Sequence, residues 1–325
     1  MTRSFMRSAA TSMIIAGMIA TTTTVPPTAA ARTPMPVAPY VHQTAPTRYV
    51  DAAGTRLAYR RFGKTGGLPV LFFQHFAGTM DNWDPRVVDG IAHSHEVILF
   101  DNAGVAGSGG NVSTSIETMA RHAIALITAL HISKVDLLGF SMGSMVAQEL
   151  TIERPDLVHR LVLIGSAPRG GVGMATLTPE FQAALAKKRA VPDELLLDTL
   201  FTPSAASQAA GHLFLDRIRA RTIGRDPEIS DKVAPAQVDA IAGWGRPQAT
   251  PYAYLAKITQ PVLLVAGSKD LVFYTVNAFN LQQHLSNAEL SIYPDTGHGP
   301  QDQYPNRFVQ DATNFLDGFR DETER

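Results

Sequence analysis

Val135-Asp136-Leu137-Leu138-Gly139-Phe140-Ser141-Met142-Gly143-Ser144-Met145-Val146-Ala147-Gln148-Glu149-Leu150 holds a G-x-S-x-G pattern between an apolar run and a helix-like run. The pattern alone says little; its setting says more. A serine on a sharp strand-to-helix turn has its hydroxyl pushed out of the sheet and its backbone held in a strained conformation. Side chains at 139 and 143 would collide with the neighbouring strand and helix, so glycine is required at both. The helix that follows points free N–H groups and a positive dipole end at charge developing nearby.

The rest of the chain supports this setting. From Arg48 onward, strand and helix patterns alternate, as expected of a mostly parallel sheet covered on both faces. A hairpin is predicted over 48–50 and 55–61, and buried strands at 69–73, 96–100, 161–165, 261–267 and 289–293. Helices are predicted over 114–130 and 306–319. The alternation breaks between 168 and 258, where helical patterns recur at 180–188, 193–201, 205–220 and 235–244 without a strand. An insertion there would sit over the strand ends toward which Ser141 points, so it is expected to act as a lid. The core is then 48–167 with 259–325, and the lid 168–258.

Candidate partners for Ser141 follow it in chain order. Asp270 comes just after the 261–267 strand and His298 just after the 289–293 strand, so both lie in loops at the sheet edge where Ser141 sits. A serine needs a base to remove its proton, and the base needs a third group to orient it. Asp270 is favoured as that group, with Asp295 as the alternative. Asp302 reads as a solvated cap. Two N–H donors are expected to face the substrate oxygen: Met142, at the helix start, and Phe76, in the loop Gln74-His75-Phe76-Ala77-Gly78-Thr79. His75 is read as shaping that loop. Trp244 and Phe201 are candidate substrate contacts within the insertion.

Bulk properties narrow the partners. The chain has 325 residues, long enough for a sizeable core, and a formal net charge of −1, which supplies no pull toward nucleic acid. There is no cysteine, hence no disulfide and no thiolate metal site, and no metal ligand set is predicted. Arg3 and Arg7, an apolar run from Ala9 to Ala20 and the small residues up to Ala31 have the order of a signal peptide, predicted over 1–31. The apolar run is too short to span a bilayer, so a secreted or periplasmic protein without a stable membrane anchor is expected. A flexible Pro/Thr/Ala-rich segment is predicted over 32–47.

Taken together, these residues resemble the α/β-hydrolase superfamily over about 48–319, and within it the serine esterases and the cofactor-free haloperoxidase or perhydrolase branch. Asp101-Asn102-Ala103-Gly104-Val105-Ala106-Gly107-Ser108 is similar to the D-x-x-G-x-G-x-S turn of that family, with Ala106 at a glycine position. Gln74-His75 stands where the family has His-Gly, and the alignment on Trp83 places Phe76 at the oxyanion donor. The resemblance implies an α/β-hydrolase fold with a helical lid inserted between two late strands. It also implies no cofactor and an acyl-serine reaction on a small ester, thioester or lactone. The apolar residues of the insertion favour an apolar acyl or alkyl group. Perhydrolysis and carbon–carbon bond hydrolysis use the same residues, and a binding protein on this fold is a further alternative.

Overall fold

The computed structural model describes residues 41–188 and 194–318, and the elements below lie within them. The predicted signal peptide and residues 32–40 of the expected flexible segment fall outside. The strands are β1 (Arg48–Ala52), β2 (Thr55–Gly63), β3 (Val70–Phe73), β4 (Glu96–Phe100), β5 (Val135–Phe140), β6 (Val158–Ile164), β7 (Val262–Gly267) and β8 (Ala288–Tyr293). They form one eight-stranded sheet in the order β1-β2-β4-β3-β5-β6-β7-β8. β1 and β2 pair antiparallel, as do β2 and β4, and from β4 onward every pairing is parallel.

The helices are α1 (Val41–Thr44), α2 (Pro85–Ala92), α3 (Ile116–Ala129), α4 (Met142–Glu153), α5 (Pro179–Ala186), α6 (Glu194–Leu200), α7 (Ala205–Arg219), α8 (Val233–Trp244), α9 (Val276–His284), α10 (Pro300–Gln303) and α11 (Pro305–Leu316). Strand periodicity divides the core in two. Leu71, Phe73 and Leu137 face one apolar cluster with α3 and α4, while Val70, Phe72, Leu138 and Phe140 face another with α2 and α11. Successive side chains of a strand point to opposite faces, so β3 and β5, covered on both, read as continuous apolar runs. Every residue of β5 is buried, as is every residue of α4 from Met142 to Thr151. That double coverage fixes the end of β5, and with it Ser141, at the centre of the sheet.

The insertion is helical between β6 and β7 among the described residues, as predicted, but its helices do not act as one layer. α8 sends Ala240, Ile241 and Trp244 into the main core cluster beside α3. α5 and α6 lie at the strand ends instead, where Phe181, Leu196 and Leu200 meet the Ser141 loop cluster.

The expected flexibility up to Thr47 is corrected from Val41 on. His42 is buried; its N–H donates to Asp89 Oδ1 at 2.8 Å, and its carbonyl accepts from Arg221 Nη1 at 2.6 Å. Ala45 O accepts from Arg221 Nη2 at 2.9 Å. Composition pointed to a loose linker, but an arginine 176 to 179 residues away satisfies its carbonyls. Burial drives the His42 pKa down to about 4, so the ring stays neutral there.

Arg60 lies in the same region with no exposed side-chain surface. It pairs with Asp81 at 2.6 Å and with Asp226, from the α7–α8 connection, at 2.7 Å. The two aspartates exchange backbone bonds: Asp81 N–H donates to Asp226 Oδ2 at 3.0 Å, and Asp226 N–H to Asp81 Oδ2 at 2.8 Å. Removing one member of a buried pair strands the other charge at low dielectric, at a cost of about 3 kcal/mol. Asp226→Ala should therefore lower the unfolding free energy by about 3 kcal/mol in urea titrations. A loss under about 1 kcal/mol would show that this connection is not a structural clamp.

Candidate active site

Ser141 caps α4 with φ 56° and ψ −123°, a conformation that residues with a Cβ rarely adopt. The close crossing of β5 and α4 imposes it. A Cβ on Gly139 would lie 2.6 Å from Gly143 O, and one on Gly143 would overlap the Phe73 carbonyl. The strain is held from several sides: Ser141 N–H donates to Ile164 O at 2.9 Å, and Ser144 Oγ donates to Ser141 O at 2.6 Å. Ser166 and Gln148 extend this network behind the turn.

The structure brings the three separated polar residues into one chain. His298 Nε2 lies 2.7 Å from Ser141 Oγ, and His298 Nδ1 lies 2.7 Å from Asp270 Oδ2. Asp270 is held in turn, since Oδ1 accepts the N–H groups of Val272 and Phe273 at 2.9 and 3.0 Å. All three side chains are buried. A carboxylate only accepts, so Nδ1 carries the imidazole proton and Nε2 presents its lone pair to the serine. That is the proton arrangement a general base requires.

The glycines beside His298 serve close packing as well as flexibility. His298 N–H and Gly299 N–H donate to Thr199 O and Leu200 O, the last carbonyls of α6, at 3.1 and 3.0 Å. A Cβ on Gly297 would lie 2.9 Å from Leu200 O, and one on Gly299 would lie 2.8 Å from Leu200 Cβ. The end of α6 is thus docked on the histidine loop. Gly165, at φ 52°, leaves the space that the imidazole Cε1 approaches.

Asp295 sits elsewhere. Its carboxylate accepts from Ser204 Oγ at 2.6 Å and Thr202 Oγ1 at 2.9 Å, and these bonds hold its pKa below the usual carboxylate range. Asp302 is not a solvated cap: it is buried, and burial, with the charge of Asp84 adding, pushes its carboxyl well above the usual range. The helix-start pattern at Pro300 gave no warning that α10 is sandwiched between α7 and α11.

Met142 and Phe76 each keep an N–H with no protein acceptor among the described residues. For Met142 this follows from its position at the start of α4. The glycine position of the family turn that Ala106 occupies is met by a left-handed alanine, φ 46°. Asp101 Oδ1 and Oδ2 accept from Met80 and Gly107 N–H there at 3.0 and 3.2 Å, and burial raises its pKa to about 8.

Two cavities meet at the site. One of about 40 Å³ is bounded by Ser141, His298, His75, Phe76 and the α6 leucines Leu195, Leu196 and Leu200. The other, about 430 Å³, shares Phe181, Thr199 and Val272 with it and continues past Phe201, Gly297 and Lys269. Phe201 therefore lines the neighbouring cavity and not the one at Ser141. Trp244 lines neither: it is buried, donates from Nε1 to Ala167 O at 3.2 Å and packs edge-on against Tyr254. Its expected place at the approach to Ser141 is corrected, because α8 turns its aromatic face to the core. Thr199 and Leu200, whose carbonyls dock the histidine loop, were not singled out from sequence; nothing local marks a helix end that serves another loop.

A central parallel sheet with a serine at the β5–α4 turn, and an acid and a histidine after the next-to-last and last strands, defines a known class of enzyme fold. The chain belongs to the alpha/beta hydrolase fold family, whose model matches residues 69–305, and it is an enzyme of that class. An alpha/beta hydrolase fold protein from Chitinophaga pinensis is 38% identical, with a TM-score of 0.80 over 86% of this chain and 99% of that one. Est816, described as an N-acyl homoserine lactone degrading enzyme, is 25% identical with a TM-score of 0.66 over 82% of this chain and all (100%) of that one. A non-heme chloroperoxidase of Streptomyces lividans is 28% identical over 283 residues, 81% of this chain and 96% of its own length.

Two substitutions separate the acids. Asp270→Asn keeps the shape but loses the charge facing Nδ1, and should lower ester hydrolysis by about 10² to 10⁴. Asp295→Asn should change it by less than about tenfold; the reverse ranking would reassign the acid. Trp244→Ala should cost about 3–5 kcal/mol of stability as a core truncation, with relative rates across an ester series unchanged. A shifted ester preference in that variant would return Trp244 to the substrate path.

Proposed function

We propose that the chain is an exported serine hydrolase that cleaves a carboxylic ester, thioester or lactone through an acyl-serine intermediate. The unbroken chain Ser141–His298–Asp270, at 2.7 Å on both links beside two free N–H groups, carries this reading. His298 Nε2 takes the serine proton as Oγ attacks the carbonyl carbon. The carbonyl oxygen gains the negative charge, which the Phe76 and Met142 N–H groups receive. The tetrahedral adduct collapses as His298 gives its proton to the leaving oxygen or sulfur. Water, deprotonated by the same nitrogen, then releases the acid and restores Ser141.

The two cavities support an assignment of the two parts of the substrate. The leaving group must lie on the side of His298, which protonates it. The larger cavity is on that side: Gly297 precedes His298, and Lys269, Leu271 and Val272 flank Asp270. It is assigned to the alcohol, thiol or lactone-ring part, and its mainly apolar walls suit an alkyl or aryl group. The 40 Å³ space at Ser141 admits only a small acyl group while α5 and α6 stay closed over it. The insertion then acts as a lid through α5 and α6. The likeness to Est816 supports a lactone among the candidates. The basic, apolar and small-residue order of 1–31 supports export, which N-terminal sequencing of the mature protein would test.

The likeness to the Streptomyces chloroperoxidase favours one second reading. Hydrogen peroxide can replace water at the acyl-enzyme, giving a peracid and free Ser141, and halide oxidation in acetate with peroxide would reveal it.

Ser141→Ala should fold normally and lose about 10⁴ to 10⁶ in kcat toward p-nitrophenyl acetate, and a fluorophosphonate should label Ser141 in the native protein. In a matrix of esters, each added CH₂ on the alcohol of an acetate should raise kcat/KM about fourfold until the cavity is full, given about 0.8 kcal/mol per buried CH₂. Lengthening the acyl side should lower kcat/KM. Full activity in the alanine variant would defeat the mechanism; the opposite length preference would defeat only the cavity assignment.

A further inference from the structure

The loop that carries Phe76 leaves a single N–H of four unoccupied. His75 N–H donates to Gln74 Oε1 at 2.8 Å, Ala77 N–H to Gln237 Oε1 at 2.6 Å, and Gly78 N–H to His75 O at 3.1 Å. Only Phe76 N–H has no acceptor among the described residues. The His75–Gly78 bond closes a turn in which Ala77 has φ 56° while Phe76 is not at positive φ. That is a type II turn, whose third position favours glycine. Here it holds alanine, so the turn has an intrinsic tendency to flip its central peptide and relieve the left-handed residue.

Both ends of that central peptide are pinned. The Phe76 carbonyl lies 2.8 Å from His75 Nδ1, which must be the protonated nitrogen because a carbonyl only accepts. The ring is buried and its Nε2 has no partner, so a second proton would be unsatisfied; burial lowers its pKa to about 4, and it remains the neutral Nδ1–H tautomer above that pH. The Ala77 N–H is held by Gln237, fully buried on α8, whose Nε2 has no partner among the described residues. The bond from Ala77 N–H to the Gln237 oxygen, at 2.6 Å, is the side-chain hydrogen bond that joins this residue to the turn.

We infer that Gln237 is a positioning residue for the reaction: from the insertion it pins the Ala77 end of the strained turn, and through the Phe76 backbone angles it steadies the adjoining peptide whose N–H faces the substrate oxygen. The inference rests on the proposed acyl-serine mechanism and adds that the oxyanion site is incomplete until the insertion has docked. α8 belongs to the core-packed part of the insertion, so it acts as a fixed brace while α5 and α6 cover the substrate.

The test uses Gln237→Met, which keeps the length and loses the acceptor, and Gln237→Glu, which keeps an oxygen at the same reach as the protonated carboxyl that burial favours. Losing an oxyanion donor costs about 10² to 10³ in kcat, and loosening one should cost less, about tenfold. Gln237→Met should therefore lower kcat for p-nitrophenyl acetate about tenfold with KM within about twofold, and Gln237→Glu should recover most of that loss. Ala77→Gly removes the left-handed penalty, so Ala77→Gly/Gln237→Met should regain activity relative to Gln237→Met alone. A glutamine that only packs α8 would show neither the kcat-only loss nor the rescue by glycine, and either absence overturns the inference. Should Gln237→Met fail to fold, Gln237→Asn, which stays a buried amide but withdraws its oxygen from the Ala77 N–H by one CH₂, should show the same kcat-only loss, and native kcat in that variant overturns the inference. Fluorophosphonate labelling of Ser141 in each variant separates the cases: unlabelled native protein sinks the parent mechanism, whereas labelled Gln237→Met with native kcat sinks only the role of Gln237.

Discussion

The backbone crossing at the end of β5 is the constraint on which the rest depends. β3, β5 and the start of α4 approach so closely that neither 139 nor 143 can carry a side chain. Ser141, between them, is forced to φ 56°. Such a residue persists only where its surroundings over-determine it. Here they do so through the fully buried β5 and α4, through Ile164 O and through Ser144. The tight packing that expels water from the sheet centre also pushes one hydroxyl out of it. Stability and reactive geometry are therefore not separate accounts in this molecule; the first creates the second.

Around that point the loops contribute by what they leave unmet. Among the described residues Met142 N–H has no acceptor because a helix must begin somewhere, and Phe76 N–H has none while Gln74, Gln237 and the turn itself take its neighbours. The histidine loop is set by the end of α6, whose carbonyls at Thr199 and Leu200 fix the height of His298 above the sheet. The insertion thus touches the site in two ways. α6 docks on the His298 loop and narrows the cavity, and α8 bonds the Phe76–Ala77 turn through Gln237.

Much of the fold was legible in the sequence because both of its periods are local. Alternating strands and helices, the buried character of 135–140 and the late strands all follow from side-chain spacing. Ser141, Asp270 and His298 could be singled out because each stands just after a strand, and the structure does bring them together. What escaped reading depends on partners far along the chain. Trp244 lies on an apolar helix, and nothing in a helix pattern says whether its apolar face meets the core or a cavity. The segment from Val41 to Thr47 has the composition of a linker, yet Arg221 orders it. Asp302 begins a helix as a cap does, yet α10 is buried between two others. Gln237, mid-helix and polar, has no local signature; only the turn it meets, 160 residues earlier, gives it meaning.

The buried cluster around Arg60 has a consequence for the order in which the molecule is completed. Arg60 and Asp226 are separated by 166 residues, and His42 and Arg221 by 179. A chain made from its N-terminus presents the guanidinium of Arg60 long before its second carboxylate exists. Burying it with Asp81 alone would leave the guanidinium without its second carboxylate at low dielectric. The buried carboxylate of β5, Asp136, meets His159 of the adjacent β6 at 2.9 Å, so that polar pair needs no distant partner. The buried charge beneath the antiparallel edge formed by β1 and β2 is therefore fully paired only once the α7–α8 connection is in place.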